Sequence, residues 1–143
     1  MQGLYERDFY AWASEQAELL RTHRLDAADI ENIAEELETL GRSEKSALRN
    51  HLSNLLQHLL KWQHQPARRG ASWRLSIANA RDEVADILAD SPSLRAQLDA
   101  VIKTAFGRAR RNAALETGLD AQVFPDRCPW SSDQLMDEGF WPD

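Results

Sequence analysis

Cysteine is almost absent: the 143 residues hold one, Cys128. A lone cysteine excludes an internal disulfide, so nothing in the fold depends on an oxidising compartment. Long hydrophobic runs are missing as well. The densest apolar cluster, Leu52 to Trp62, is broken by Ser53, Asn54, Gln57, His58 and Lys61, whereas a membrane span needs about 20 mostly apolar residues. The opening residues, Met1 to Asp8, lack the basic and apolar regions of a secretory signal. The chain therefore reads as soluble, without a membrane partner, and cytoplasmic by elimination.

Chemistry-bearing motifs are scarce too. There is no glycine-rich phosphate loop, no Gly-x-Ser-x-Gly elbow and no Cys-x-x-Cys pair. The Glu-x-x-His motif of di-iron bundles fails at every histidine: Leu20, Leu48, Leu55 and Lys61 stand three positions before His23, His51, His58 and His64. His-Glu-x-x-His is absent, and no cofactor is implied.

What is present is helical periodicity, punctuated by proline and glycine. No segment alternates like a half-buried strand. Asp8 is placed to cap a helix running to about His23, with Phe9, Trp12, Ala13, Gln16, Leu19 and Leu20 at helical spacing. After a break at Arg24-Leu25, Asp26 is the expected cap of the next helix. Ile30, Ile33, Ala34, Leu37 and Leu40 form one apolar stripe, and Leu48, Leu52, Leu55, Leu59 and Trp62 a second. The two stay nearly in phase, which predicts one long helix over 27–63, bent near Gly41; two helices with Ser43 as the second cap is the alternative.

Pro66 ends that helix, and Ala67-Arg68-Arg69-Gly70 reads as a basic loop. A further helix is expected over 72–89. Ser91-Pro92 opens the next, and Gly118 closes it as a left-handed C-terminal residue. Ser131 and Gln134 match a capping box for a short terminal helix. Phe124, Trp130, Phe140 and Trp141 require the irregular tail to pack against the rest. The expected fold is all-α: a single helical domain over 1–143, with about four main helices in a bundle. A chain this long buries roughly 68–70% of its unfolded surface, enough for an independent core.

Asp8-Phe9-Tyr10-Ala11-Trp12, Glu35-Glu36-Leu37, Leu40-Gly41-Arg42-Ser43-Glu44 and His58-Leu59-Leu60-Lys61-Trp62 occur together here. So do Ser72-Trp73-Arg74, Asp90-Ser91-Pro92-Ser93-Leu94, Glu116-Thr117-Gly118-Leu119, and Phe124-Pro125 followed by Cys128-Pro129. In this order and spacing, from about Tyr5 to Phe140, the chain resembles the bacterial family called domain of unknown function 29. The resemblance implies an all-α bacterial domain. It brings neither an activity nor functional residues.

Charge is segregated. Residues 1–44 hold 4 Lys/Arg against 11 Asp/Glu, residues 45–111 hold 12 against 5, and residues 112–143 hold 1 against 7. A basic middle can mark a nucleic-acid surface, but the overall charge of −6 argues against that partner. Neutralisation of the middle by the acidic ends is the simpler expectation.

Three residues form a polar row on the long helix: Glu44, His51 and His58, spaced by seven from Leu37. A carboxylate and two imidazoles facing a core could hold a metal or exchange protons. Residues seven apart are about 10.5 Å apart along the axis, so one ion cannot easily take both histidines. The structural expectation is that Glu44 pairs with Arg74 or Arg81 and that the histidines bond at the core edge. Lys61, Arg68, Arg69 and Arg74, interleaved with Trp62 and Trp73, are candidates for binding single-stranded nucleic acid or phosphate. The structural expectation there puts the tryptophans in the core. Cys128, beside Asp126 and without an adjacent histidine, reads as an inert thiol.

Taken together, the sequence points to a helical interaction module that binds a protein partner or itself. The alternatives are a metal-dependent enzyme around Glu44, His51 and His58, and a nucleic-acid-binding regulator using the basic middle.

Overall fold

Helical periodicity becomes helices throughout. The computed structural model describes residues 3–143, and no strand occurs among them. In chain order the α-helices are α1 (Leu4–Arg7), α2 (Phe9–Arg21), α3 (Ile30–His64), α4 (Ala71–Asp90), α5 (Leu98–Thr117) and α6 (Ser132–Met136). Short 3-10 turns occupy Pro66–Arg68, Pro92–Gln97 and Ala121–Val123. The chain divides into two compact units, the first ending at Ser43 and the second spanning Glu44–Asp143.

Local chemistry sets the boundaries. Asp8 caps α2 by accepting the Ala11 N–H at 3.0 Å. Gly118 ends α5 at φ 74°, a left-handed conformation open to glycine without strain. Ser131 and Gln134 complete the expected capping box of α6. Residues 30–64 form a single helix that passes through Gly41 without a break, where an added Cβ would meet open space. Three boundaries differ from expectation. Pro92 opens a 3-10 stretch to Gln97 rather than the α-helix, which begins at Leu98. Helix α3 begins three residues later than Asp26 predicts, because Asp29 is the residue just before it and supplies the carbonyl for Ile33 N–H at 2.9 Å. The basic loop is a 3-10 turn through Arg68.

In the first unit α2 and the start of α3 are joined by a polar network around Asp29. Its carboxylate accepts from Trp12 Nε1 at 3.0 Å and Asn32 Nδ2 at 2.8 Å, while its own N–H donates to Gln16 Oε1 at 2.6 Å. Those two helix-to-helix bonds explain why Asp29 takes the capping role. The Asn32 and then the Trp12 donor hold its carboxyl below the usual range, against partial desolvation. Tyr5 and Phe9 pack on Trp12 with ring centroids 4.7 and 5.5 Å away. Among the described residues of this unit only Trp12 and Gln16 are buried.

The second unit is a helical bundle with a large core. Leu48, Leu52, Leu55, Leu56, Leu59 and Leu60 of α3 are fully enclosed, together with Ile77, Val84 and Leu88 of α4 and Ala105, Phe106 and Ala109 of α5. The aromatic tail does pack: Phe124, Trp130 and Leu135 are buried in the same cluster.

Arg81, only 3% exposed, anchors that tail. Its Nε donates to the Leu135 carbonyl at 2.8 Å, Nη2 to Phe140 at 2.7 Å and Nη1 to Glu138 at 3.4 Å. Desolvation lowers its pKa, opposed by the nearby Asp137 and Glu138 charges.

Candidate functional site

The polar row on α3 is not gathered into one site. Glu44 is half-buried and accepts from Ser91 Oγ at 3.5 Å. The expected pair with Arg74 or Arg81 is not formed, because Arg81 is committed to the tail carbonyls and Arg74 lies over Trp62. His51 Nε2 stands 3.9 Å from Glu83 Oε2, with both side chains substantially exposed; such a pair contributes little.

His58 bonds its own helix, with Nδ1 2.8 Å from the Asn54 carbonyl. Since a carbonyl can only accept, Nδ1 carries the proton and Nε2 is the free acceptor. Burial lowers the His58 pKa, the Asn54 bond opposes the shift, and Lys61 adds to it. Among the described residues, no three His, Cys, Asp or Glu side chains gather as a metal-binding set.

The basic-aromatic candidates are brought together, but largely with one another. Lys61 is 8% exposed. Its Nζ lies 2.8 Å from Glu116 Oε2, which also accepts from Gln57 Nε2 at 2.7 Å. The ammonium also sits 4.8 Å from the Trp73 ring centroid. The Lys61 bond first, and then Gln57, hold the Glu116 carboxyl below the usual glutamate range, against partial desolvation.

Arg69 donates through Nε to the Trp62 carbonyl at 2.7 Å, and its guanidinium lies 5.1 Å from the Trp62 ring centroid. Arg74 lies 5.4 Å from the same ring, and Trp141 packs on it at 4.6 Å. Trp62 is thus a buried ring flanked by two cations and a second indole. Arg68 is exposed in its turn. Flat stacking of bases, the chemistry that motivated this cluster, needs open aromatic faces, and Trp62 does not offer one.

Cys128 is half-buried, and its Sγ donates to the Trp130 carbonyl at 3.3 Å. Burial pushes the thiol pKa up, which disfavours the reactive thiolate.

Two features escaped the sequence reading. In the first unit, a cleft of about 480 Å³ is lined by Phe9, Trp12, Ala13, Gln16, Ala17 and Leu20 of α2 and by Ile33, Glu36, Leu37 and Leu40 of α3. Phe9 is 52% exposed, Leu37 63% and Leu40 66%, so the first apolar stripe of α3 lies open where a core was expected. The two polar side chains in this lining are already engaged, since Gln16 accepts from Asp29 and Glu36 from the Tyr5 hydroxyl. That bond, with burial and the Glu36 charge, raises the Tyr5 pKa to about 12.

In the second unit, Arg49 Nε is shut off from water without a hydrogen-bond partner, an arrangement that costs about 1–3 kcal/mol. The sequence carried a signal for the cleft, in the leucines and isoleucines of residues 30–40, but nothing in it distinguishes a covered stripe from an open one.

No helix among the described residues is long and apolar enough to cross a membrane. No curated protein and no solved structure matches the chain. One family model does, over residues 4–141 and so nearly end to end, and the chain belongs to the family it describes, domain of unknown function DUF29.

Proposed function

We propose that this protein is a docking module whose first unit takes an amphipathic helix with basic flanks from a partner protein into the α2–α3 cleft. The observation that carries the reading is the open apolar lining. Phe9, Leu20, Leu37 and Leu40 present large side chains to solvent on facing helices, and the polar groups among them are already bonded. Contiguous exposed apolar surface of this kind is costly in water and marks interaction sites. A cleft between two helices accepts the ridge of a third, with anchors at positions i, i+3 or i+4, and i+7.

Charge selects among occupants. Residues 1–43 carry four Lys/Arg against ten Asp/Glu, a net of −6. A basic partner is steered toward that field, whereas a second copy of the same unit would bring like charge against it. Cytoplasmic placement accords with the single cysteine, which has no partner in the chain.

A synthetic helical peptide with leucines at i, i+4 and i+7 and flanking lysines, titrated into the full chain and followed by calorimetry, tests this directly. Binding should be saturable and weaken with salt, and it should fall at least about tenfold, or 1.4 kcal/mol, in Leu37→Lys and Leu40→Lys. Equal binding by the same peptide with glutamates in place of the lysines would remove the charge argument. A monomer–dimer equilibrium abolished by Leu37→Lys would replace the helix with a second copy.

A further inference from the structure

The α3 side of the docking cleft follows a finer pattern than an apolar face requires. Ile30, Ile33, Leu37 and Leu40 succeed one another at intervals of three, four and three, the alternation of a coiled-coil seam. One flank of this seam is occupied. Asp29 and Glu36, seven residues apart and so on one side of the helix, are bonded by Trp12, Gln16 and Tyr5.

The opposite flank is bare. Its positions are Ala34 and Gly41, again seven residues apart, and both are exposed, as are Ile30, Leu37 and Leu40. In a two-stranded coiled coil such flanking positions carry long charged side chains that pair across the seam. Here they carry almost nothing. Glycine is the poorest helix former after proline, and the surroundings of Gly41 do not call for one. Its backbone is not left-handed, the helix runs through it unbroken, and an added Cβ would meet open space.

The seam and its bare flank together outline holes. Ile30, Ile33, Ala34 and Leu37 stand at i, i+3, i+4 and i+7, the four corners that receive one large side chain from a neighbouring helix. Leu37, Leu40 and Gly41 begin the same arrangement one heptad on, about 10.5 Å further along the axis. In both, the corner at i+4 is the small residue.

We infer that the partner helix docks as the missing third helix of a bundle with α2 and α3, in coiled-coil register. Two of its large aliphatic side chains, seven residues apart, fill the holes that Ala34 and Gly41 leave open. This inference rests on the docking reading and adds to it the register and repeat of the partner.

Filling the holes separates shape from mere apolar area. If area alone drives docking, Ala34→Leu and Gly41→Leu enlarge the surface and tighten binding. If the holes receive side chains, the same substitutions overpack them and weaken it. The full chain is titrated calorimetrically with the same leucine–lysine helical peptide. Each leucine variant should bind at least about tenfold more weakly than the unaltered chain. The thermal midpoint of the free protein should stay level in Ala34→Leu and rise by about 2–4 °C in Gly41→Leu. Gly41→Ala, a gentler change, should weaken binding severalfold and keeps the test available if a leucine variant folds poorly. Among three peptides with one leucine shortened to alanine, at least one should bind Gly41→Leu more tightly than the parent peptide does. Unchanged or tighter binding of the parent peptide by either leucine variant, or no rescue among the three, would overturn the register while leaving the docking reading in place. Failure of the parent peptide to bind the unaltered chain would remove both.

Discussion

The two ends of α3 carry the same apolar spacing and meet opposite fates. Leu37 and Leu40 are more than 60% exposed, while Leu48, Leu52, Leu55, Leu56, Leu59 and Leu60 are fully enclosed. The difference lies in the neighbours. In the second unit α4, α5 and the tail all contribute to the core around α3, whereas in the first unit α2 contributes Trp12 and little else that is buried. Periodicity reports which face of a helix is apolar. It does not report how many partners are available to cover that face.

The sharpest way to break this comparison is truncation at matched leucines. Leu56→Ala should destabilise by about 2–5 kcal/mol, the range for a fully enclosed leucine. Leu37→Ala should stay within about 0.5 kcal/mol, as for an exposed position. Urea titrations of the two variants check this; similar losses would mean that the first stripe is covered in solution.

Next in size is the tail anchor. Arg81→Met leaves the Leu135 and Phe140 carbonyls without their donor, and should cost roughly 1–3 kcal/mol. Limited proteolysis should then cut within residues 131–143 well before the helices.

The ionisable groups give the two units opposite weak points in pH. Tyr5, raised to about 12, contributes stability that is complete below pH 10 and is lost as pH rises toward 12. Glu116, lowered, contributes stability present above the ordinary glutamate pKa and lost as pH falls through its own folded value. Tyr5→Phe should therefore flatten the alkaline limb of a thermal pH profile, and Glu116→Gln the acid limb. Because Glu116 is half-exposed, its substitution at neutral pH should cost less than about 1 kcal/mol. Smaller still is Glu44→Ala, which removes a single 3.5 Å contact to Ser91 and should change stability by less than about 0.5 kcal/mol.

Signals that act over a few residues were legible in the sequence. The Asp8 cap, the Ser131–Gln134 box and the glycine at 118 each set a boundary through bonds to their own neighbours. Asp29 rather than Asp26 became the residue before α3 because Gln16 and Trp12, from a different helix, bind it. That selection is tertiary and leaves no local trace.

The same limit applies to function. Glu44 could be placed on a face, but its partner turned out to be a hydroxyl 47 residues away. Lys61, Arg69 and Arg74, though not Arg68, lie against Trp62 or Trp73, and the spacing gave no hint that the cations would occupy the aromatic faces themselves.

The Arg81 clasp has a consequence for how this chain can drift. It grips main-chain oxygens at 135, 138 and 140, and every amino acid supplies that oxygen. Exchanging the side chains of Glu138 or Gly139 leaves the grip intact so long as the backbone follows the same path, whereas no substitute for Arg81 offers three donors in that fork. Mutational tolerance should thus be broad along the exposed stretch of the tail and narrow at the single arginine that holds it.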